Sequence, residues 1–471
     1  MKKLLALVSF VGLSGLLLSL AVGAPARTLA AKPLAAHQEP RGLAQLVAPG
    51  DRSEVVYTLD TPGIKSPVGS LYVRNDLTPR FERFPLRVKR ATLNALLPDR
   101  LIRGHRLLYY AVVRDPQSGR SVTVPTSGAR APSSAWILAG ARIVRLGAHR
   151  FGHPRAAESV VAQIGAAEVG WQNDGDPFGP QTFVVGRDRS IWLDDSLNDR
   201  LLMFRPGSPD IVARSVPLPA RSGDSDFALG PGGTFYVKGG IGRGLDFKNV
   251  VYQLSANGSV RWQTTLAGAL RSSGSFMIGA NSPLRTGPDG TLYCLAGMPG
   301  LPGGELGWMP VATPAGRPLS VAQQIRGTHW PYQPVAGGVR LVSEVYNARP
   351  DAAPREVRVA LIDRAGHVVR AWRIVSRTDI NFGYTTPELV RGDPVIVLDV
   401  TAGSGPGFKW EELVLRLGPN GARSHFSLRH AVYGDNILAD VRVGPDGKLY
   451  QLGSSPTTGV VISRYSLTGT R

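Results

Sequence analysis

Short runs of alternating apolar and polar residues, broken by Gly- and Pro-containing turns, fill the chain beyond its first third. One such unit returns six times between Phe183 and the C-terminus. Its plainest copies are Phe227–Gly239 (FALGPGGTFYVKG), Leu284–Gly297 (LRTGPDGTLYCLAG) and Asp440–Gly453 (DVRVGPDGKLYQLG). Each reads as a short strand, a tight Pro-Asp-Gly or Pro-Gly-Gly turn, and a Tyr-containing strand; Gly supplies the positive φ that such turns need. Looser copies are Phe183–Asp195, Pro334–Glu344 and Glu388–Asp399. Anchored on the residue after each turn, the six fall at Ser190, Thr234, Thr291, Val339, Val395 and Lys448, with gaps of 44, 57, 48, 56 and 53 residues. A four-stranded propeller blade takes roughly 40–50 residues. A second hairpin follows in several repeats: Val250–Trp262, Val357–Trp372 and Glu412–Phe426. Two hairpins per repeat make four strands, and six such units arranged radially bury their faces against one another. The pattern predicts an all-β protein, with a six-bladed β-propeller over residues 158–471.

The preceding residues read differently. Lys2 and Lys3 before the apolar stretch Leu4–Gly23, with small residues after it, form a signal peptide over 1–26, cut after Ala26. The alternative is an uncleaved anchor, since about 20 apolar residues span a bilayer. Residues 27–49 read as a linker, and 50–150 as a small β-sandwich-like domain. Its clearest unit is the hairpin Leu107–Pro125 around Asp115-Pro116-Gln117-Ser118-Gly119. Leu93–Leu101 could form one or two helical turns. His149 and His153 lie four apart, but Gly152 and Pro154 argue against a helix that would pair them on a metal. Glu158–Ile164 is expected as the outer strand that completes the last blade together with Val460–Leu467.

Charge separates the two parts. The chain carries +19 overall, with 20 Lys+Arg against 8 Asp+Glu in residues 25–150 and 32 against 27 thereafter. A basic exported domain is attracted to anionic envelope polymers or headgroups, although an Arg-rich solvated surface alone would give the same count. Nothing resembles a nucleic-acid module. The single cysteine, Cys294, allows no internal disulfide and reads as a buried small apolar residue. The expected protein is secreted or envelope-associated and monomeric.

Asp188–Phe204 (DRSIWLDDSLNDRLLMF) resembles an NHL-type blade, with Asp195, Asn198, Arg200 and Phe204 matching its Asp and Asn-x-Arg pattern. Over residues 158–471 the chain resembles six-bladed propellers of the NHL and senescence-marker/gluconolactonase (TolB-like) type. In the first domain, Leu96-Leu97-Pro98 followed by Leu107 and Tyr109 resembles the approach to the tyrosine corner of fibronectin-type sandwiches. Propellers host many activities, so the resemblance speaks to architecture first.

His-Glu-x-x-His, phosphate-loop and nucleophile-elbow signatures are missing from the sequence. Polar residues just before the inner strands should ring one channel mouth: Asp174, Asp176, Asp224, Asp226, Asn281, His329, Asn381, Asp435 and Asn436. Loops add Asp195, Asn198, Glu305 and Asn347. Carboxylate and amide oxygens on one mouth suit Ca²⁺, with Asp226 and Asn281 the named candidates. Gluconolactonase-like propellers hold a divalent ion this way to polarise a lactone carbonyl, as the resemblance implies. The plainer account is that Asp and Asn sit in turns for their backbone chemistry. The expected function is therefore an envelope-associated binding or scaffolding protein that takes a protein or small-molecule ligand on the propeller face. The alternative is a metal-dependent lactonase or related hydrolase. A quinone-dependent sugar dehydrogenase fits less well, because His329 is the one histidine expected at that mouth.

Overall fold

All six turn-centred hairpins form, and each becomes the inner pair of strands of one blade. Blade 1 comprises Phe183–Val185, Ile191–Asp195, Arg200–Arg205 and Ser208–Pro217, and blade 2 comprises Phe227–Leu229, Phe235–Ile241, Lys248–Leu254 and Val260–Thr265. Blade 3 is Leu284–Thr286, Leu292–Gly297 and Leu306–Ala312. Blade 4 holds Gln333–Pro334, Arg340–Tyr346, Glu356–Ile362 and Val368–Ser376; blade 5 holds Glu388–Val390, Asp393–Ala402, Lys409–Gly418 and Gly421–Arg429. Blade 6 holds Val441–Val443, Leu449–Ser455 and Gly459–Tyr465. The computed structural model describes residues 36–38, 45–51, 53–59, 67–89, 92–173, 178–219, 226–241, 248–267, 283–297, 306–326, 333–335, 338–346, 353–382, 387–404, 407–434 and 439–468. The expected signal segment 1–26 lies outside them. Among the described residues, no helix is long and apolar enough to cross a membrane.

The repeat has a local physical cause. In Gly230–Tyr236, Gly287–Tyr293 and Gly444–Tyr450 the tyrosine ring folds back over the glycine, so a Cβ there would come within 2.9, 2.8 and 2.5 Å of the ring. The turn between them is closed by a positive-φ glycine, at 82° in Gly290 and 69° in Gly447. Asp289 and Asp446 each accept the N–H two residues on, at 3.0 and 3.1 Å, which fixes the turn from its own side chain. Apolar side chains of adjacent blades then meet in continuous seams, for example Trp192, Leu201 and Phe235 between blades 1 and 2, and Ile374, Ile396 and Leu415 between blades 4 and 5.

Blades 3, 4 and 5 depart from four strands, and blade 6 reaches four only through closure. Among the described residues blade 3 has three; the short helix Val321–Arg326 follows its last strand, and buried Gln324 ties it to blade 2 by donating to Thr265 O and accepting from Ala267 N. Blade 5 has an extra strand, Asp379–Phe382, on the far half of Asp393–Ala402. Blade 6 is completed by Ser159–Ile164, antiparallel to Gly459–Tyr465, so the ring closes by joining its first and last segments as expected from sequence. At this junction Gly459 has φ 90° and lies so close to Ile164 that a Cβ would stand 2.1 Å from its carbonyl oxygen.

The N-terminal strands form one nine-stranded sheet curled into a half-barrel, from Ala36–Gln38 to Ser133–Ile137. The sandwich-like domain thus takes the form of a single sheet whose inner face encloses Val55, Leu71, Leu93, Leu107 and Tyr109. Two boundaries shift. Within the stretch 27–49 read as a linker, Ala36–Gln38 and Leu46–Val47 are strands, because Leu46, Val47 and Ala48 form an apolar run that is fully buried. Arg142–Gly147, placed with the first domain by sequence, pairs parallel with Val368–Ser376 as a fifth strand of blade 4. Thr92–Leu96 is a strand and Asp99–Leu101 one 3₁₀ turn, in place of longer helical turns.

Half-barrel and ring meet on blade 4. Leu46, Ala48, Trp136 and Leu138 pack on Val342, Ala360 and Ile362. Inside this apolar seam lies Arg358, fully buried. Its two terminal nitrogens pair with Asp51 at 2.5 and 2.8 Å, one of them also donates to Leu46 O, and Nε donates to Glu356 at 2.7 Å. The guanidinium stacks 3.4 Å over the Tyr346 ring. Removing one member of such a pair strands the other in a dry site. Arg358→Met should therefore destabilise the protein by about 3–5 kcal/mol in chemical denaturation, and Arg358→Met/Asp51→Asn should recover part of that loss. A single variant as stable as wild type would show that the apolar seam alone holds the half-barrel.

Candidate functional site

In four blades the residue just before the inner strand holds an equivalent place around the axis. Thr182, Asp226, Pro283 and Asp440 each accept, through the main-chain carbonyl, an N–H from the neighbouring strand, at 3.1, 3.1, 3.1 and 2.7 Å. The side chains at these places differ, and Asp226 does the most with its own. It is completely buried. Oδ1 accepts from Arg442 and Thr182, both at 2.8 Å; Oδ2 accepts from Arg285 at 2.8 Å and the Leu284 N–H at 2.9 Å. Burial pushes this carboxyl up, but Arg442 and Arg285 outweigh it and hold the group below the usual range. Arg442 is itself pushed down to about 10, by burial and by the charge of Arg285. Glu388 on blade 5 lies beside both arginines. Buried Lys238 follows two residues into the same strand as Tyr236, close to Asp226 and Cys294; burial lowers it and raises the Cys294 thiol to about 11. Cys294 is buried, as read from sequence.

These contacts decide the fit of a cation at Asp226. Each oxygen of the carboxylate already accepts from a guanidinium and one further donor, so a divalent ion there would stand against two positive charges. The residues do not fit that ion at this position. Its expected partner Asn281 lies outside the described residues, as do Asp174, Asp176, Asp224, His329, Asp435, Asn436, Glu305 and Asn347.

The remaining expected residues separate. Asp195 is buried and turned into blade 1, where it accepts from Gly170 N, Asn198 Nδ2 and Arg200 Nε at 2.8, 3.0 and 2.7 Å. The Asp/Asn-x-Arg element is thus a knot that pins the loop between strands. Asn381 is exposed, on the extra strand of blade 5, with Asp399 as its cross-strand partner.

Asp399 leads to a cluster that sequence reading passed over. Its partner on the next strand is Glu412, and both face the seam with blade 6. Glu412 Oε1 lies 3.0 Å from His430 Nδ1, and Oε2 accepts from Gln451 at 3.0 Å. Asp440 Oδ2 is 4.0 Å from the same histidine nitrogen. The imidazole lies flat on Trp410, with centroids 3.7 Å apart and planes 5° from parallel. One ligand atom from each of Glu412, His430 and Asp440 falls within 4.8 Å of the others, so these are the described residues that could hold a cation together. Burial, with the nearby Asp399 charge, raises Glu412 to about 7; burial and Asp440 raise Asp399 to about 6. His149 and His153 form no pair: His149 Nε2 is 2.8 Å from Glu411, whose other oxygen accepts from Gly152 N at 2.6 Å.

A sequence signal for part of this existed. Asp440 stands before its strand as Asp226 does, and Arg285 and Arg442 recur two positions later in LRT and VRV. Glu412 opens the second hairpin of its repeat and His430 follows the last strand of blade 5, and no recurring spacing links them.

No family model and no curated protein matches the chain. Among solved structures, a candidate glycoside hydrolase from Parabacteroides distasonis is similar at 10% identity and TM-score 0.26, covering 68% of this chain and 97% of that one. A candidate glycosidase from Bacteroides thetaiotaomicron is similar at 9% identity and TM-score 0.20, covering 66% and 89%. Likenesses this distant carry no argument about activity.

Two outcomes follow. Asp226→Asn should cost about 3–5 kcal/mol, since it leaves two buried guanidiniums without their anion; denaturation curves unchanged from wild type would remove Asp226 as the axial tie. For Glu412 the sign runs from its raised value. The folded state favours the neutral acid, so its stabilisation is present below the unfolded pKa of about 4.3 and is lost as pH rises through about 7. Relative to wild type, Glu412→Gln should gain stability between pH 5 and 8, on the order of 2–3 kcal/mol. Parallel melting curves of the two proteins across that range would refute it.

Proposed function

We propose that this chain is an exported, envelope-associated binding protein. Its half-barrel attaches to anionic envelope polymers, and its propeller presents a ligand face. The observation that carries this reading is the occupation of the axis. The carboxylate expected to serve a metal, Asp226, is consumed by Arg285, Arg442 and Thr182, which leaves a structural plug in place of a polarising centre. The attachment role draws on the strand Glu82–Lys89, which turns Arg83, Arg87 and Lys89 to solvent. Exposed cations of this kind attract polyanions in a salt-dependent way.

A second reading, a divalent-metal-dependent hydrolase, is favoured by one observation: the convergence of Glu412, His430 and Asp440 in the seam of blades 5 and 6. There His430 and the two carboxylates would hold the ion, which when bound supplies Lewis-acid chemistry.

Sedimentation with cell-wall material, before and after extraction of its polyol-phosphate polymers, tests the attachment. Binding should weaken with salt and with extraction, and fall about tenfold in Arg83→Glu/Arg87→Glu/Lys89→Glu, in line with loss of several exposed cations. Binding untouched by these changes would reject the half-barrel as the attachment surface. EDTA-sensitive lactone turnover lost in His430→Ala would replace the binding reading with the hydrolase.

A further inference from the structure

Where the chain crosses from half-barrel to ring, Pro154 and Arg155 lie over the outer part of blades 5 and 6. They close a groove of about 230 Å³. That is below the roughly 300–1,000 Å³ of pockets for drug-sized ligands, and leaves room for a small group. The groove's polar lining is Arg155, Arg429, Gln451, Ser463 and Tyr465, and among the described residues no acidic side chain lines it.

The two arginines reach it from different segments. Arg155 is held in place: it donates to Ser466 O at 3.0 Å and lies 3.9 Å over the Phe426 ring. Arg429 is exposed at the end of the last strand of blade 5. Its cross-strand partner, Glu411, is committed to His149 and to Gly152 N. The charge of Glu158 reaches Arg155, but that carboxylate is paired with Lys448 at 3.1 Å, and neither guanidinium is within ion-pair distance of a carboxylate among the described residues. Gln451 forms a fixed wall. It donates to Arg429 O at 2.7 Å and to Glu412 at 3.0 Å, and accepts from the Tyr465 hydroxyl at 3.1 Å.

Two like charges beside one partly enclosed volume raise its potential, and low-dielectric walls concentrate the field. Guanidinium forks match the planar or tetrahedral oxygens of carboxylate, phosphate and sulfate. We propose that this groove is a binding site for a small anionic group, a carboxylate or an oxyanion such as phosphate, held between Arg155 and Arg429. The site is separate from the half-barrel strand and from the axis, so it stands whether or not the attachment reading does. The plain competitor is that both arginines extend their charge to water over apolar stems.

The test is calorimetric titration of the full chain with inorganic phosphate and with succinate, against chloride at matched ionic strength. Arg429→Gln is the informative variant, because this side chain is exposed and makes no ion pair among the described residues. Arg155→Gln also removes the contacts to Ser466 and Phe426, so its melting temperature must be measured alongside. Arg187→Gln, an exposed arginine in a turn of blade 1, is the control. Saturable binding of either anion, weakened about tenfold in Arg429→Gln and unchanged in Arg187→Gln, is expected for loss of one charge-assisted contact. Which anion binds tells carboxylate from oxyanion recognition. Saturable binding of neither anion to wild type, or equal weakening by the control, overturns the site. Loss of wall-polymer binding in the half-barrel variant with phosphate binding intact would separate the two proposals.

Discussion

A ring of blades has a weak point at its centre, where short inner strands converge and little apolar surface is available. Here one carboxylate answers that problem. Asp226 lies on blade 2, and its oxygens take Arg442 from blade 6, Thr182 from blade 1, and both Arg285 and the Leu284 N–H from blade 3. Four of the six blades are therefore tied through two oxygen atoms in a dry site. Ion pairs in such places are weak sources of net stability, but their geometry is demanding, because a misplaced blade would leave a bare charge behind. The network acts on register: it sets how far each blade may rotate or slide relative to its neighbours.

The same economy governs what chemistry the molecule can hold. Asp226, filled by paired charges, has no oxygen free for a cation, and the thiol and amine beside it are pushed toward their neutral forms. Titratable groups with unusual values reappear in the seam of blades 5 and 6. There Asp399, Glu412, His430 and Asp440 gather behind Gln451, and Gln451 in turn forms the wall of an arginine-lined groove. This one seam holds a buried acid, a fixed imidazole and a cationic mouth in adjoining positions.

The repeat was legible because it is written in local chemistry. A glycine under a tyrosine ring, an aspartate closing its own turn and a positive-φ glycine all act within seven residues, so spacing reveals them. Closure by Ser159–Ile164 was legible for a similar reason, as an isolated strand pattern with no partner nearby. The half-barrel was harder. Leu46–Val47 pairs in parallel with Trp136–Ile137, and Arg142–Gly147 joins a blade more than two hundred residues away, neither of which leaves a local mark. In the candidate site, Asp226 stands just before the inner strand of blade 2, with its oxygens on two arginines. The arginines that satisfy it come from two other repeats, and sequence offers no measure of which side chains will face each other across an axis. Glu412 and His430 carry no recurring spacing that would link them to Asp440.

Ring closure joins a strand made early to one made last. In a chain that threads a membrane or leaves a ribosome N-terminus first, Ser159–Ile164 presents an unpaired edge until Gly459–Tyr465 arrives. Every intermediate length thus carries an open sheet edge, the kind of surface that templates pairing between chains. The half-barrel and the parallel strand Arg142–Gly147 stand just upstream of that edge, and blade 4 anchors them before the last two blades exist. The order of synthesis therefore builds a holding frame before the final stitch, and the period of exposure is set by the time needed to deliver the C-terminus.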